Sequence, residues 1–224
     1  MIWLQTASGR AVDLVHPTPD MIDIEADVAS HLSRIARFTG AAGGYSVAQH
    51  CALGADHLWR EAADAELALA FLLHDAHEAY CGDMATPLAQ ALAEHANAVT
   101  GSDERSASLA HETVRLAIKR QKYVLDIAIH AAAGLRFPLT HEQRARVKEI
   151  DIRMLATERK FLLGPAPMPW AHEIENAALI PMPGGRLDIW PAHVAANVWR
   201  RDFNTYRDAM SARRASVVAA ARSQ

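Results

Sequence analysis

Cysteine is nearly missing from this chain. Cys51 and Cys81 are the two among 224 residues and form no CxxC pair, so no disulfide scaffold is called for and the usage suits a reducing, cytoplasmic setting. Long apolar runs are missing as well. The longest strongly apolar stretch, 67–73, is far short of the ~20 residues that span a bilayer, and no membrane association is expected. The opening Met-Ile-Trp-Leu-Gln-Thr has no basic stretch followed by an apolar one, which argues against a signal peptide. Nor is there an excess of positive charge. With 23 basic and 26 acidic residues the net charge is −3, whereas a chain that tracks a nucleic-acid backbone is normally basic. Only the last segment departs from this balance, through Arg200, Arg201, Arg207, Arg213, Arg214 and Arg222, and such a run usually marks a solvated helix face. Half of the residues are apolar, enough to bury the core of one large domain.

The first fifteen residues carry the one clear strand signal. Trp3 to Thr6 and Val12 to Val15 flank Ser8-Gly9 and read as a small N-terminal β-hairpin. Pro17 and Pro19 then break the chain, and from Ile22 onward the pattern is helical. Helices are expected over about 24–38, 46–60, 64–80, 102–134 with a break near Arg120, 140–163 and 191–212, with a short segment after Pro87. Ser46 is a good N-cap, Thr140 with Gln143 completes a capping box, and Gly164 stands where a helix-ending glycine belongs. Residues 165–191 hold six prolines and read as loop. Residues 1–224 therefore read as a single all-α domain with the small hairpin at its start.

Chemistry concentrates in three places. In Phe71-Leu72-Leu73-His74-Asp75-Ala76-His77-Glu78, an apolar helix carries His74 and Asp75 to its core end. Burying an ionised carboxylate is costly, and a metal ion is one efficient compensation; a surface salt-bridge cluster is the alternative. Glu78 follows at helical spacing, on neighbouring positions of the same helix. Asp151 lies within an apolar stripe of Val147, Ile150, Met154 and Leu155, where it needs either an arginine partner or a metal. His50, one turn into its helix, is by itself a packing residue as readily as a ligand.

Taken together, His50, then His74-Asp75, then the distant Asp151 resemble the HD-domain metal phosphohydrolases. The flanking Ser-Val-Ala-Gln-His at 46–50, His-Asp-Ala-His-Glu-Ala at 74–79, Gly-Asp-Met-Ala-Thr-Pro at 82–87 and Glu-Ile-Asp at 149–151 are similar to the bacterial 5′-deoxynucleotidase branch. That branch also includes phage enzymes hydrolysing deoxyadenosine triphosphate. The resemblance covers about 23–161, beyond which lie the proline-rich loop and the C-terminal helix.

The resemblance implies an HD-type helical bundle in which His50, His74, Asp75 and Asp151 hold one divalent cation. Two imidazoles and two carboxylates suit Mn²⁺, Co²⁺, Zn²⁺, Fe²⁺ or Ni²⁺ alike. It further implies that Glu78 orients or deprotonates a metal-bound water and that Asp83 helps to position nucleophile and sugar; a simple loop carboxylate is the alternative for Asp83. Arg34 is the expected phosphate contact, unless it pairs structurally with Glu25 or Asp27, and Arg37 is a second candidate, a solvated arginine being its alternative. Ile35 stands where the branch often has a tryptophan after that arginine, and Ala89 where many members have a lysine; Thr86 completes the expected substrate contacts. The expected activity is release of phosphate from deoxynucleoside monophosphates. Release of triphosphate from a deoxynucleoside triphosphate is the alternative, with additional Mg²⁺ and cations such as Lys148. A remoter alternative is a degenerate, non-catalytic HD protein that only binds. The resemblance also implies a homo-oligomer, for which Trp190, Val194, Val198 and Trp199 offer an apolar surface unless they cap the core. A nucleotide is the expected partner, and a stable nucleic-acid partner is not.

Overall fold

In the computed structural model, which describes residues 1–100 and 104–222, the chain opens on an antiparallel hairpin. Strands β1 (Trp3–Gln5) and β2 (Ala11–Asp13) pair in the register Trp3↔Asp13, Leu4↔Val12 and Gln5↔Ala11. Gly9 takes a φ of +84° in the turn, a conformation that favours glycine. Val12 is fully buried and anchors the hairpin to the helical body.

Nine α-helices follow among the described residues: α1 (Ala29–Leu32), α2 (Val47–Ala62), α3 (Ala65–Leu72), α4 (Glu78–Cys81), α5 (Thr86–Thr100), α6 (Glu104–Ala132), α7 (His141–Leu162), α8 (His172–Glu175) and α9 (Ala192–Arg222). The fold is all-α with a small N-terminal hairpin. Local chemistry sets several helix starts. The Ser46 hydroxyl accepts from Gln49 N at 3.2 Å, Asp64 Oδ1 accepts from the backbones of Glu66 and Leu67, and Thr140 with Gln143 forms a reciprocal capping box. Neither proline nor glycine interrupts α6, so it runs unbroken through Arg120, against the expected break. Its expected beginning near Ser102 lies outside the described residues. Pro87 sits in the first turn of α5, where the missing N–H costs nothing, and the helix continues to Thr100.

Two expected helices are broken, and both breaks build the site. The 24–38 segment begins as a π-helical turn, Ile24–Val28, and ends its helix at Leu32. Past that point Ala36 is extended and bridges Ser46, with Arg37 N donating to Tyr45 O at 2.9 Å and Val47 N to Ile35 O at 3.0 Å. The glycine-rich loop is thus a closed excursion whose two ends are tied together. The 64–80 segment breaks after Leu72. His74 N to Phe71 O, Ala76 N to Leu73 O and Glu78 N to Asp75 O are all three residues apart, so a tight turn separates α3 from α4. Further along, Leu163 is extended and Gly164 does not take the left-handed conformation expected of it. The last helix extends beyond 212 to Arg222.

The core lies between α2, α3 and α9. Trp199 is fully buried there and stacks on Phe203 at 5.7 Å, while Trp190 and Val198 pack against the same core, so these residues cap it. The basic face of α9 is largely committed within the chain: Arg200 to Glu25 O, Arg201 to Asp202, Arg207 to Asp208, and Arg214 to Gly134 O.

α2 and α3 approach so closely that a Cβ on Gly54 would lie 2.1 Å from the Phe71 ring. Gly54→Ala is therefore expected to lower the melting temperature, by the ~1–3 kcal/mol typical of overpacking. Thermal unfolding followed by circular dichroism checks this, and an unchanged Tm would contradict the close approach.

Candidate metal centre

Three elements converge at the site. α2 carries His50, the tight turn carries His74 and Asp75, and α7 carries Asp151. His50 Nε2 lies 3.4 Å from His74 Nε2, 3.6 Å from Asp151 Oδ1 and 4.0 Å from Asp75 Oδ2. His74 Nε2 lies 3.1 Å from Asp75 Oδ2 and 3.9 Å from Asp151 Oδ1. Nitrogen and oxygen ligands that share one ion at 2.0–2.2 Å stand roughly 3–4.3 Å from one another. These five separations fall in that interval; His50, His74 and Asp151 form one group with ligand atoms within 4.8 Å of one another, and Asp75 joins His74 in a second, with Cys51.

Hydrogen bonds on the far side of each ring set the tautomers. His74 Nδ1 donates to Phe71 O at 2.6 Å, and His50 Nδ1 donates to the Glu158 carboxylate at 2.5 Å. A carbonyl and an ionised carboxylate can only accept, so each Nε2 presents a lone pair to the other across 3.4 Å. Two such lone pairs repel unless a positive charge stands with them, either a metal ion or a proton on one ring. A carboxylate or carbonyl behind each ligand histidine is the usual way a protein orients such a ring and raises its basicity.

Charges that are buried here are matched. Burial would discharge Arg37, but Glu158 and Asp75 hold it protonated, with Nε 3.2 Å from Glu158 and Nη1 3.5 Å from Asp75. Burial likewise opposes ionisation of Glu158, yet Arg37, His50 and the Tyr45 hydroxyl at 2.8 Å keep its carboxyl below the ordinary range. Asp75 follows the same logic: burial works against it, and His74, His50 and Arg37 hold it well below the usual value. Burial lowers His74, but the Asp75 carboxylate and the Cys51 thiol raise it well above an ordinary histidine. Without an ion, a proton between His74 and Asp75 takes the cation's place.

Glu78 is different, because nothing answers its charge. It is 5 % exposed, its Oε2 has no hydrogen-bond partner among the described residues, and it lies in one cluster with Asp75 and His77. Burial, then the charges of Asp75 and Asp83, push its carboxyl up to about 9, with Lys122 offsetting only part. Asp83 is also raised, by burial and by Asp75, against the pull of Arg37. Both carboxyls therefore share the field of the cluster.

The chain thus gathers His50, His74, Asp75, Asp151, Glu78, Asp83 and Arg37. It does not gather the others. Arg34 is exposed, its guanidinium tied to Ser30 and not to Glu25 or Asp27. With Ile35, Ile189 and Trp190 it lines a separate cleft of about 540 Å³. Thr86 opens α5 on the exposed surface. Arg37, the second substrate candidate, is not a solvated side chain: it is largely buried and is the cation of the site, because the tied ends of the glycine loop turn it inward. The next two residues, Phe38 and Thr39, have φ of 56° and 53°, a left-handed pair that costs of order 1–3 kcal/mol per residue. His74 and Asp75 occupy a turn and not successive positions of one helix. Glu158, Tyr45 and Lys122 were not foreseen. For Glu158 a signal existed, since it stands seven residues after Asp151, two turns along the same helix face.

No protein-family model matches the chain. A protein of Rhodobacter capsulatus described as uncharacterized is 41% identical over 103 residues, covering 40% of this chain and 48% of that protein, so the match spans about half of that relative's length. The Escherichia coli protein YfdR, also described as uncharacterized, is 32% identical over 163 residues, covering 72% of this chain and 73% of YfdR.

Two outcomes follow from this geometry. Glu158→Gln is expected to leave all four ligands in place yet weaken metal affinity by ~10–100-fold, the usual effect of losing a partner behind a ligand histidine; a competition titration with a chelating dye measures it, and unaltered affinity would remove Glu158 from the site. Because the Asp75 carboxylate favours the protonated form of His74 in the metal-free chain, metal uptake is expected to expel a proton. Apparent affinity should therefore fall as pH is lowered from 8 to 6, with proton release visible as a buffer-dependent heat in calorimetry.

Proposed function

The chain belongs to the same family as YfdR, and we propose that within it this protein is a divalent-metal-dependent phosphohydrolase acting on nucleotides, most simply on deoxynucleoside monophosphates. The observation that carries this reading is the pair of Nε2 atoms facing each other at 3.4 Å, flanked by Asp75 and Asp151. His50, His74, Asp75 and Asp151 would hold the ion, and nitrogen and carboxylate donors fit the first-row divalent metals. When bound, such an ion polarises a phosphoryl oxygen and lowers the pKa of a coordinated water.

The remaining residues supply handling of proton and substrate. Glu78, beside Asp75 and raised toward neutral pH and above, is suited to exchanging a proton with the attacking water or the leaving oxygen, since a useful acid or base titrates near the working pH. Arg37 locks Asp75 and Glu158 through Nε and Nη1. Its Nη2 makes no hydrogen bond among the described residues and is available to a phosphate oxygen. Counted from Arg37, the following residue is Phe38, so an aromatic side chain stands where the resembled branch has tryptophan. Asp83 is placed at the edge of the cluster, where the resemblance implies a sugar contact.

The monophosphate reading is favoured by how the cations are spent. Lys148 is bound to Asp151 Oδ2 at 3.2 Å and Arg34 faces a separate cleft, so neither is free to grip a triphosphate tail at the cluster.

Metal-loaded protein offered all deoxynucleoside mono- and triphosphates is expected to release orthophosphate from the monophosphates. Release of triphosphate alone would shift the substrate class, and no hydrolysis with full metal content would overturn the enzymatic reading. Arg37→Lys should lower kcat/KM by more than tenfold, since a point charge cannot replace a planar fork, whereas Arg34→Lys should leave it unchanged. The reverse pattern would return the phosphate contact to Arg34. Glu78→Gln is expected to keep the ion at His50 and its partners while slowing turnover by ~10²–10⁴-fold.

A further inference from the structure

A second cluster abuts the first. Asp75, His77 and Glu78 bring one ligand atom each within 4.8 Å of one another. His77 is 5 % exposed, and its Nδ1 is held by the Asp126 carboxylate at 3.0 Å, reaching across from α6. That bond fixes the ring and leaves Nε2 as the free nitrogen, fully buried and without a partner among the described residues. Glu78 Oε2 is buried and unpartnered in the same way. The carboxylate behind His77 repeats what Glu158 does for His50, and it is the arrangement that prepares a histidine for a metal. A buried imidazole nitrogen and a buried carboxylate oxygen, both unpaired, are costly unless something binds them.

We propose that Asp75, His77 and Glu78 form a second divalent-cation site, sharing Asp75 with the first and backed by Asp126. The two sites share Asp75 on one turn, so a phosphoryl group at the cluster would meet two cations. Paired ions about 3.5–4 Å apart are a recurrent device for clamping phosphate oxygens. This rests on the reading of His50, His74, Asp75 and Asp151 as the first metal site.

The test is metal stoichiometry on the whole chain, stripped with chelator and titrated with Mn²⁺ alone. Wild type is expected to take up two ions per chain, with an exchange-coupled Mn²⁺ signal in electron paramagnetic resonance appearing only as the second binds. His77→Ala and Glu78→Gln are each expected to bind one, without the coupled signal. Should His77→Ala fail to fold, because Asp126 loses its partner, Glu78→Gln decides. One ion per wild-type chain, unchanged in Glu78→Gln, would overturn the second site and leave the first intact. No bound ion in wild type would overturn both.

Discussion

Glu158 has no exposure to solvent, and a carboxylate so placed must be surrounded by donors. His50, Arg37 and Tyr45 surround it, and in doing so they are fixed themselves. The consequence reaches each part of the site. His50 is held in the tautomer that turns Nε2 to the cluster, Arg37 is drawn inward to Asp75, and the two ends of the glycine loop are pinned where Arg37 and Tyr45 meet backbone to backbone. Removing one charge from such a buried group leaves the others uncompensated.

The turn between α3 and α4 is the second constraint. α3 is buried on nearly every side and stops after Leu72, where three-residue spacing replaces helical spacing. This lets His74 and Asp75 reach one point although they are adjacent in sequence. It also places His77 and Glu78 beside Asp75, with His77 held by Asp126 of α6. One short turn therefore supplies both clusters, and α6, through Asp126 and Lys122, is part of the site despite a sequence that reads as plain amphipathic helix.

The helical class, the hairpin and the proximity of His50, His74, Asp75 and Asp151 were legible because each leaves a local mark. Alternation flanks Gly9, Ser46 and Thr140 announce helix starts, and charged residues interrupt apolar stripes at His74, Asp75 and Asp151. What stayed hidden depends on contacts distant in sequence. Arg34 and Arg37 differ by three positions, and their fates are decided by the Ala36–Ser46 bridge and a left-handed Phe38-Thr39 pair that no local pattern announces. The break after Leu72 escaped for a related reason: tertiary demand at His74 overrides strong helix formers on both sides. Glu158 is fully buried yet reads as an ordinary charged residue near a helix end, since its three partners lie more than one hundred positions upstream.

X-ray absorption on the chain loaded with one equivalent of Zn²⁺ or Co²⁺ addresses the centre most directly. The account predicts a shell of nitrogen and oxygen at ~2.0–2.2 Å, with the multiple-scattering pattern of two imidazoles, and loss of one imidazole in His50→Ala. A sulfur scatterer at ~2.3 Å would place Cys51, which adjoins His74, in the ligand set instead, and an imidazole count unchanged in His50→Ala would contradict the centre described here.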